Sequence, residues 1–158
     1  MNTNFKIQGL DYEEFSSLFA LSDEELAKRN IVRKTVDKAY AFPCRVSLED
    51  AEIGERVLLL SFQHVKNDSP YNSAGAIFIR ENARKREIAE NEIPDVLSRR
   101  LLSLRAYNKN GIMIQADVLN GTELKNVLHQ WFENPDIDYI HIHNAKPGCY
   151  SCLVKRSV

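Results

Sequence analysis

Most of the features that usually reveal a function are missing from this sequence. No apolar run is longer than four residues, as from Val57 to Leu60, far short of the roughly 20 needed to cross a bilayer. No membrane partner is expected. The N-terminus has no basic stretch leading into an apolar core, so no secretory leader is expected either. Cysteine is scarce: Cys44, Cys149 and Cys152 are odd in number and too few for a disulfide framework, which points to free thiols and a cytoplasmic location. Lys and Arg total 21 against 22 Asp and Glu, a formal charge of -1. That balance offers no global basic field, and no nucleic-acid partner is expected. There is no repeat, no low-complexity tract, no G-x-G-x-x-G, no Walker A lysine loop and no G-x-S-x-G elbow.

What remains is an ordinary globular composition. The 158 residues are 44% hydrophobic and 27% charged, enough for one hydrophobic core and a single domain over residues 1–158. Short elements come first. A strand is expected over Phe5 to Leu10, then a helix over Tyr12 to Phe19 capped by Asp11. A second helix over Ser22 to Arg29 carries a capping box from Ser22 to Glu25. Residues 31–36 and 44–48 read as extended segments. Strands at 56–64 and 76–80 flank a polar connection, and the charged stretch 81–92 reads as a solvated helix or loop.

The last third has the clearest pattern. Residues 101–107 and 112–119 form a hairpin around Asn110-Gly111. A helix follows from Gly121-Thr122 to about Glu133, with Leu124, Val127, Leu128 and Trp131 as its apolar stripe. Residues 137–144 and 149–156 form a second hairpin around Ala145 to Gly148. The ββαββ order predicts an α+β fold, mostly an antiparallel sheet with this helix across one face.

Strand parity then locates candidate chemistry. Ile140 and Ile142 share the face that the helix stripe needs, so Tyr139, His141 and His143 turn the other way, toward the N-terminal half. His64 ends the row Leu58, Leu60, Phe62 and leads into a loop holding Ser69 and Tyr71. Arg45, Arg80 and Arg105 lie in or beside strands, where a guanidinium suits bidentate capture of an anion. Arg105 shares its face with Ser103 and Tyr107, and Asp117 is its alternative partner in a plain salt bridge. Arg99 and Arg100 read as solvated surface.

The H-x-H and C-x-x-C pairs invite a zinc reading. A four-residue turn would set Asn144 opposite Cys149 and His141 opposite Cys152, which brings at most three ligands to one face. No metal and no cofactor are therefore expected, and the thiols read as small buried hydrophobes. The leading expectation is a site for a small polar or anionic ligand between the His141/His143 face and the 63–75 loop. There His64 or His141 would serve as general acid or base, and Arg45, Ser69, Tyr71, Arg80, Arg105, Tyr107 and His143 would hold the ligand. Replacing His141 by Ala should then remove binding with little effect on melting temperature. Whether the chain is an enzyme is left open. The alternatives are an interaction or homodimerisation surface around Tyr107, Tyr139 and Tyr150, and a zinc-supported fold.

The segments FPCRVSLEDAEIGERVLLLSFQH, DSPYNSAGAIFIRE, LSLRAYNKNGIMIQADVLNG and YIHIHNAKPGCYSCLVKR resemble the domain-of-unknown-function family numbered twelve hundred and three. The resemblance covers nearly the whole chain, from LFALSDEELA to Arg156. It implies a bacterial, cytoplasmic protein and transfers no catalytic residue.

Overall fold

In the computed structural model, which describes residues 2–158, eight strands divide into two antiparallel sheets. The first sheet runs in the order β1 (Phe5–Gln8), β8 (Tyr150–Arg156), β7 (Tyr139–Asn144), β5 (Leu101–Tyr107), β6 (Met113–Asn120). The second holds β2 (Val32–Thr35), β3 (Arg56–Val65) and β4 (Ser73–Arg80) in that order. Helices are short: α1 (Asp23–Lys28), α2 (Asp95–Ser98) and α3 (Leu124–Trp131). The α+β class read from the sequence is the class observed, although its strands form two sheets.

Side-chain alternation fixes how the five-stranded sheet is covered. Leu102, Leu104, Ile140, Ile142, Cys152 and Val154 point to one face and pack with Leu124, Leu128 and Trp131 of α3. Removing each such side chain from water contributes roughly 1.5–3 kcal/mol. The opposite face meets the three-stranded sheet, whose own core joins Leu58, Leu60, Ile77 and Ile79 to Phe15, Leu26 and Val46.

Local chemistry explains the shorter elements. Ser22 accepts from the Glu25 amide while the Glu25 carboxylate accepts from the Ser22 amide, so α1 starts with the expected capping box. Residues 12–20 coil instead into two 3₁₀ turns, Tyr12–Glu14 and Ser16–Ala20, and Asp11 makes no side-chain cap. The 44–48 segment is not a strand either. It closes a tight turn, with Leu48 N–H donating to Cys44 O at 3.1 Å and Cys44 N–H to Glu49 O at 2.9 Å. Residues 81–92 contain no helix, yet they bury Ile88 against the first core. Among the described residues, no helix is long and apolar enough to cross a membrane.

Candidate functional site

Three irregular positions in the strands shape the region between the sheets. In β3–β4, Gln63 pairs with Ala74 and Val65 with Ser73, leaving His64 as the extra residue of a bulge. In β7–β8, His143 lies opposite Tyr150, but Ile142 lies opposite Cys152, so Ser151 is the extra residue there. In β5–β6 the register shifts between Ala106 and Tyr107.

The second bulge corrects the expected pairing. His143 with Tyr150 follows from a four-residue turn, as does the Asn144 N–H bond to Cys149 O at 2.9 Å. Beyond Ser151 the register slips by one, and Leu153, not Cys152, lies opposite His141. A one-residue slip moves every later side chain to the other face. Cys152 therefore sits wholly buried in the α3-side core, where burial pushes its thiol up to about 12. It is neither a neighbour nor a co-ligand of His141. Among the described residues, no group of three or more His, Cys, Asp or Glu side chains is arranged to hold a metal ion.

On the face turned from α3, the aromatic side chains gather as parity requires. The His64 ring stacks on Tyr150 at 5.4 Å and meets His143 edge-on at 4.7 Å. His141 lies 5.0 Å from Tyr150 and 5.3 Å from Tyr107. Tyr139 stacks on Tyr107 at 5.1 Å, and Tyr71 meets Tyr107 at 6.1 Å. His143 Nδ1 donates to Gly148 O at 3.1 Å, because a carbonyl only accepts. Its Nε2 must then accept from Arg105 Nη1 at 3.4 Å, which fixes a neutral Nδ1–H ring.

Burial holds these imidazoles uncharged. It is the main cause lowering His141 to about 3, with His143 and His64 adding repulsion. Burial also lowers His143 to about 4, against the Gly148 hydrogen bond and with help from Arg105. His64 is shifted down chiefly by burial. Both His64 ring nitrogens and His141 Nδ1 are shielded from solvent and have no hydrogen-bond partner among the described residues.

The cluster is closely packed, however, and the open space lies elsewhere. A cavity of about 1180 Å³ opens between the two sheets beside the β7–β8 turn. One wall is Leu59, Ala74, Ala76 and Phe78 of the three-stranded sheet. The others come from residues 40–45, 98–101, 120–122 and 144–149. Four cations, Arg45, Arg99, Arg100 and Lys146, line it, and no acidic side chain does among the described residues.

Arg45 is the innermost of these cations and is 1% exposed. Its Nε donates to Tyr150 O at 2.6 Å, Nη1 to Pro43 O, and Nη2 to Cys149 Sγ at 2.9 Å. No carboxylate pairs with it among the described residues, and burial lowers its pKa below the usual guanidinium value. The 44–48 turn aims it inward. Gly9 lets the end of β1 rest on that turn, since a Cβ there would come within 2.6 Å of Arg45 O. Arg100 is bound by Asp50 at 2.6 Å and 3.1 Å, and Asp50 also lies 3.9 Å from Arg99. Arg99 stacks on the Tyr40 ring at 4.2 Å.

The expected site residues thus separate into three places. His64, His141, His143, Tyr71, Tyr107 and Arg105 come together in the aromatic cluster. Arg45 faces the cavity. Arg80 belongs to neither, since it forms a two-pronged pair with Glu55 at 2.8 Å and 3.0 Å and reaches Ser47 at 3.2 Å. Ser69 Oγ accepts from the Tyr71 N–H at 3.2 Å, an ordinary turn contact. Asp117 lies opposite Leu104 and caps the Val118 amide, so it does not pair with Arg105. Tyr107 and Tyr150 are buried within the chain and cannot form an exposed contact surface. Sequence reading missed Asn144, Lys146, Arg99 and Arg100 as cavity residues. The H-x-H-N and C-x-x-C spacing marked the right hairpin but not the space beside it.

Fold and site together define a two-sheet α+β protein with a cationic cavity at the sheet junction and a neutral histidine layer behind the adjoining turn. The chain belongs to the family described as Protein of unknown function (DUF1203), whose model matches residues 41–156. That span contains every cavity and cluster residue except Tyr40. No curated protein and no solved structure matches the chain.

Proposed function

We propose that this protein binds a small anionic molecule in the cavity between its sheets. The observation that carries the reading is the lining: four cations and no carboxylate, in a chain whose overall charge is near zero. Asp50 offsets part of the charge of Arg99 and Arg100 from behind, which leaves Arg45 and Lys146 without an acidic partner among the described residues. A guanidinium carries five N–H donors, of which Arg45 uses three on protein acceptors. The remaining two suit carboxylate or phosphate oxygens. The volume fits a metabolite-sized ligand, and the apolar wall from Leu59 to Phe78 would cover its carbon skeleton.

A second reading places the ligand at the histidine cluster. It is favoured by the unpartnered nitrogens of His64 and His141 beside Arg105, which also lacks a carboxylate among the described residues. In that reading His64 is the better general base, since the deeper burial that lowers His141 to about 3 leaves its ring a weak proton acceptor near pH 7. The three free thiols support a reducing, cytoplasmic setting.

The test is a thermal-shift screen of small carboxylates and phosphorylated metabolites at low ionic strength. Specific ligands stabilise the folded state by about 2.7 kcal/mol at a hundredfold excess over Kd. Lys146→Ala and Arg99→Ala should weaken the shift, and uncharged analogues should give none. Equal shifts from neutral and anionic compounds would count against an anion site.

A further inference from the structure

We propose that Cys149 is a nucleophile that attacks the electrophilic carbon of an anionic ligand held in the inter-sheet cavity. The ligand class rests on the anion-site reading above; the nucleophile rests on the thiol's own surroundings. Of the three thiols, Cys44 is buried in the second core and Cys152 in the first. Cys149 alone is partly open, and it lines the cavity.

Its sulfur is approached by donors from two elements. Arg45 Nη2 lies 2.9 Å from Sγ and Asn144 Nδ2 lies 3.8 Å from it. A guanidinium and an amide N–H only donate, so the sulfur is the acceptor in both contacts. Asn144 supplies a second, separate pointer to a ligand. Its side chain lines the cavity and is 5% exposed, yet its Oδ1 has no partner among the described residues. A buried amide oxygen without a donor costs roughly 1–3 kcal/mol, a cost that a ligand hydroxyl or amine would remove once the atoms covering Oδ1 moved aside.

In the reaction, the thiol proton leaves to solvent and a sulfur electron pair forms the Sγ–C bond. The electron pair displaced from that carbon goes to its leaving group or, for a carbonyl carbon, to the oxygen. An oxyanion formed there would lie next to the same Arg45 and Asn144 donors that converge on Sγ, an arrangement suited to stabilising it.

The experiment alkylates the reduced full-length protein with iodoacetamide and, separately, iodoacetate, and maps the labelled cysteine by mass spectrometry. Each reaction forms an S–C bond, expels iodide and releases the thiol proton. The expected result is labelling of Cys149 ahead of Cys44 and Cys152, at least as fast with iodoacetamide as free cysteine in the same buffer. The iodoacetate-to-iodoacetamide rate ratio at Cys149 should exceed that of free cysteine about tenfold, through local cationic enrichment of the reagent. Lys146→Ala should lower that ratio. Slow iodoacetamide labelling of Cys149 would overturn the nucleophile, whatever the cavity binds. Fast iodoacetamide labelling with no iodoacetate preference would instead overturn the anionic ligand class, and the anion-site reading with it.

Discussion

A guanidinium buried without a carboxylate is stable only if its N–H groups find other acceptors, and Arg45 finds Pro43 O, Tyr150 O and Cys149 Sγ. Arg45→Met should lower stability by about 3 kcal/mol, because two buried carbonyls lose their donor; urea denaturation measures it. Arg80→Ala makes the contrast. Its pair with Glu55 is partly exposed, so the loss should be no more than about 1 kcal/mol, with anion binding unchanged. His141 differs from both. Its ring is packed among Tyr107, Tyr139 and Tyr150, so His141→Ala should cost about 2 kcal/mol or more by leaving a void. The nearly unchanged melting temperature expected from sequence does not suit a ring held this way. Residue identity alone suggested that Arg45, Arg80 and Arg105 were equivalent. What separates them is a partner distant in the chain, Glu55 for Arg80 and His143 for Arg105, and spacing carries no record of such a partner.

At the scale of elements, parity was readable and bulges were not. Ile140 and Ile142 had to meet the stripe of α3, so the histidines had to face away, and they do. The slip at Ser151 sends Cys152 to the opposite face from the one expected, and a single inserted residue leaves no local pattern to detect. The helix expected over residues 12–19 was likewise replaced by 3₁₀ turns, since Phe15 alone of that stretch is buried and its packing outweighs helical periodicity. The 44–48 segment has strand-like residues, but the Cys44–Leu48 turn closes it. Gly148 tests the β7–β8 turn that carries Cys149. Its φ is +78° and a Cβ there would meet nothing within 4 Å. Gly148→Ala should therefore cost about 1 kcal/mol through backbone strain alone, read as a lower urea midpoint with an unchanged slope.

For the whole molecule, the buried histidines couple stability to pH. His141 and His143 are lowered in the folded protein to about 3 and about 4, whereas in the unfolded chain they titrate near their ordinary value of about 6.5. Below that value the unfolded state binds more protons, so falling pH favours unfolding. Stability should be level between about pH 7 and 8 and fall from about pH 6.5 toward the folded values of about 4 and 3. Each histidine contributes a slope of up to about 1.4 kcal/mol per pH unit. Denaturation midpoints across pH 4–8 measure this; a flat profile would mean that the rings are solvated. The cavity also belongs to this scale, and it was the least readable part. Its four cations come from three stretches, around residues 45, 99–100 and 146, that become neighbours only when the two sheets close on each other.

The proposed anion site is tested most directly by a ¹H–¹⁵N NMR titration of the full chain with inorganic phosphate at low ionic strength. The expected result is saturable shifts at the amides of residues 98–100, 120–122 and 144–149, weakened in Lys146→Ala. Shifts confined to His64, Arg105, His141 and His143, or none at any concentration, would contradict an anion site in the cavity.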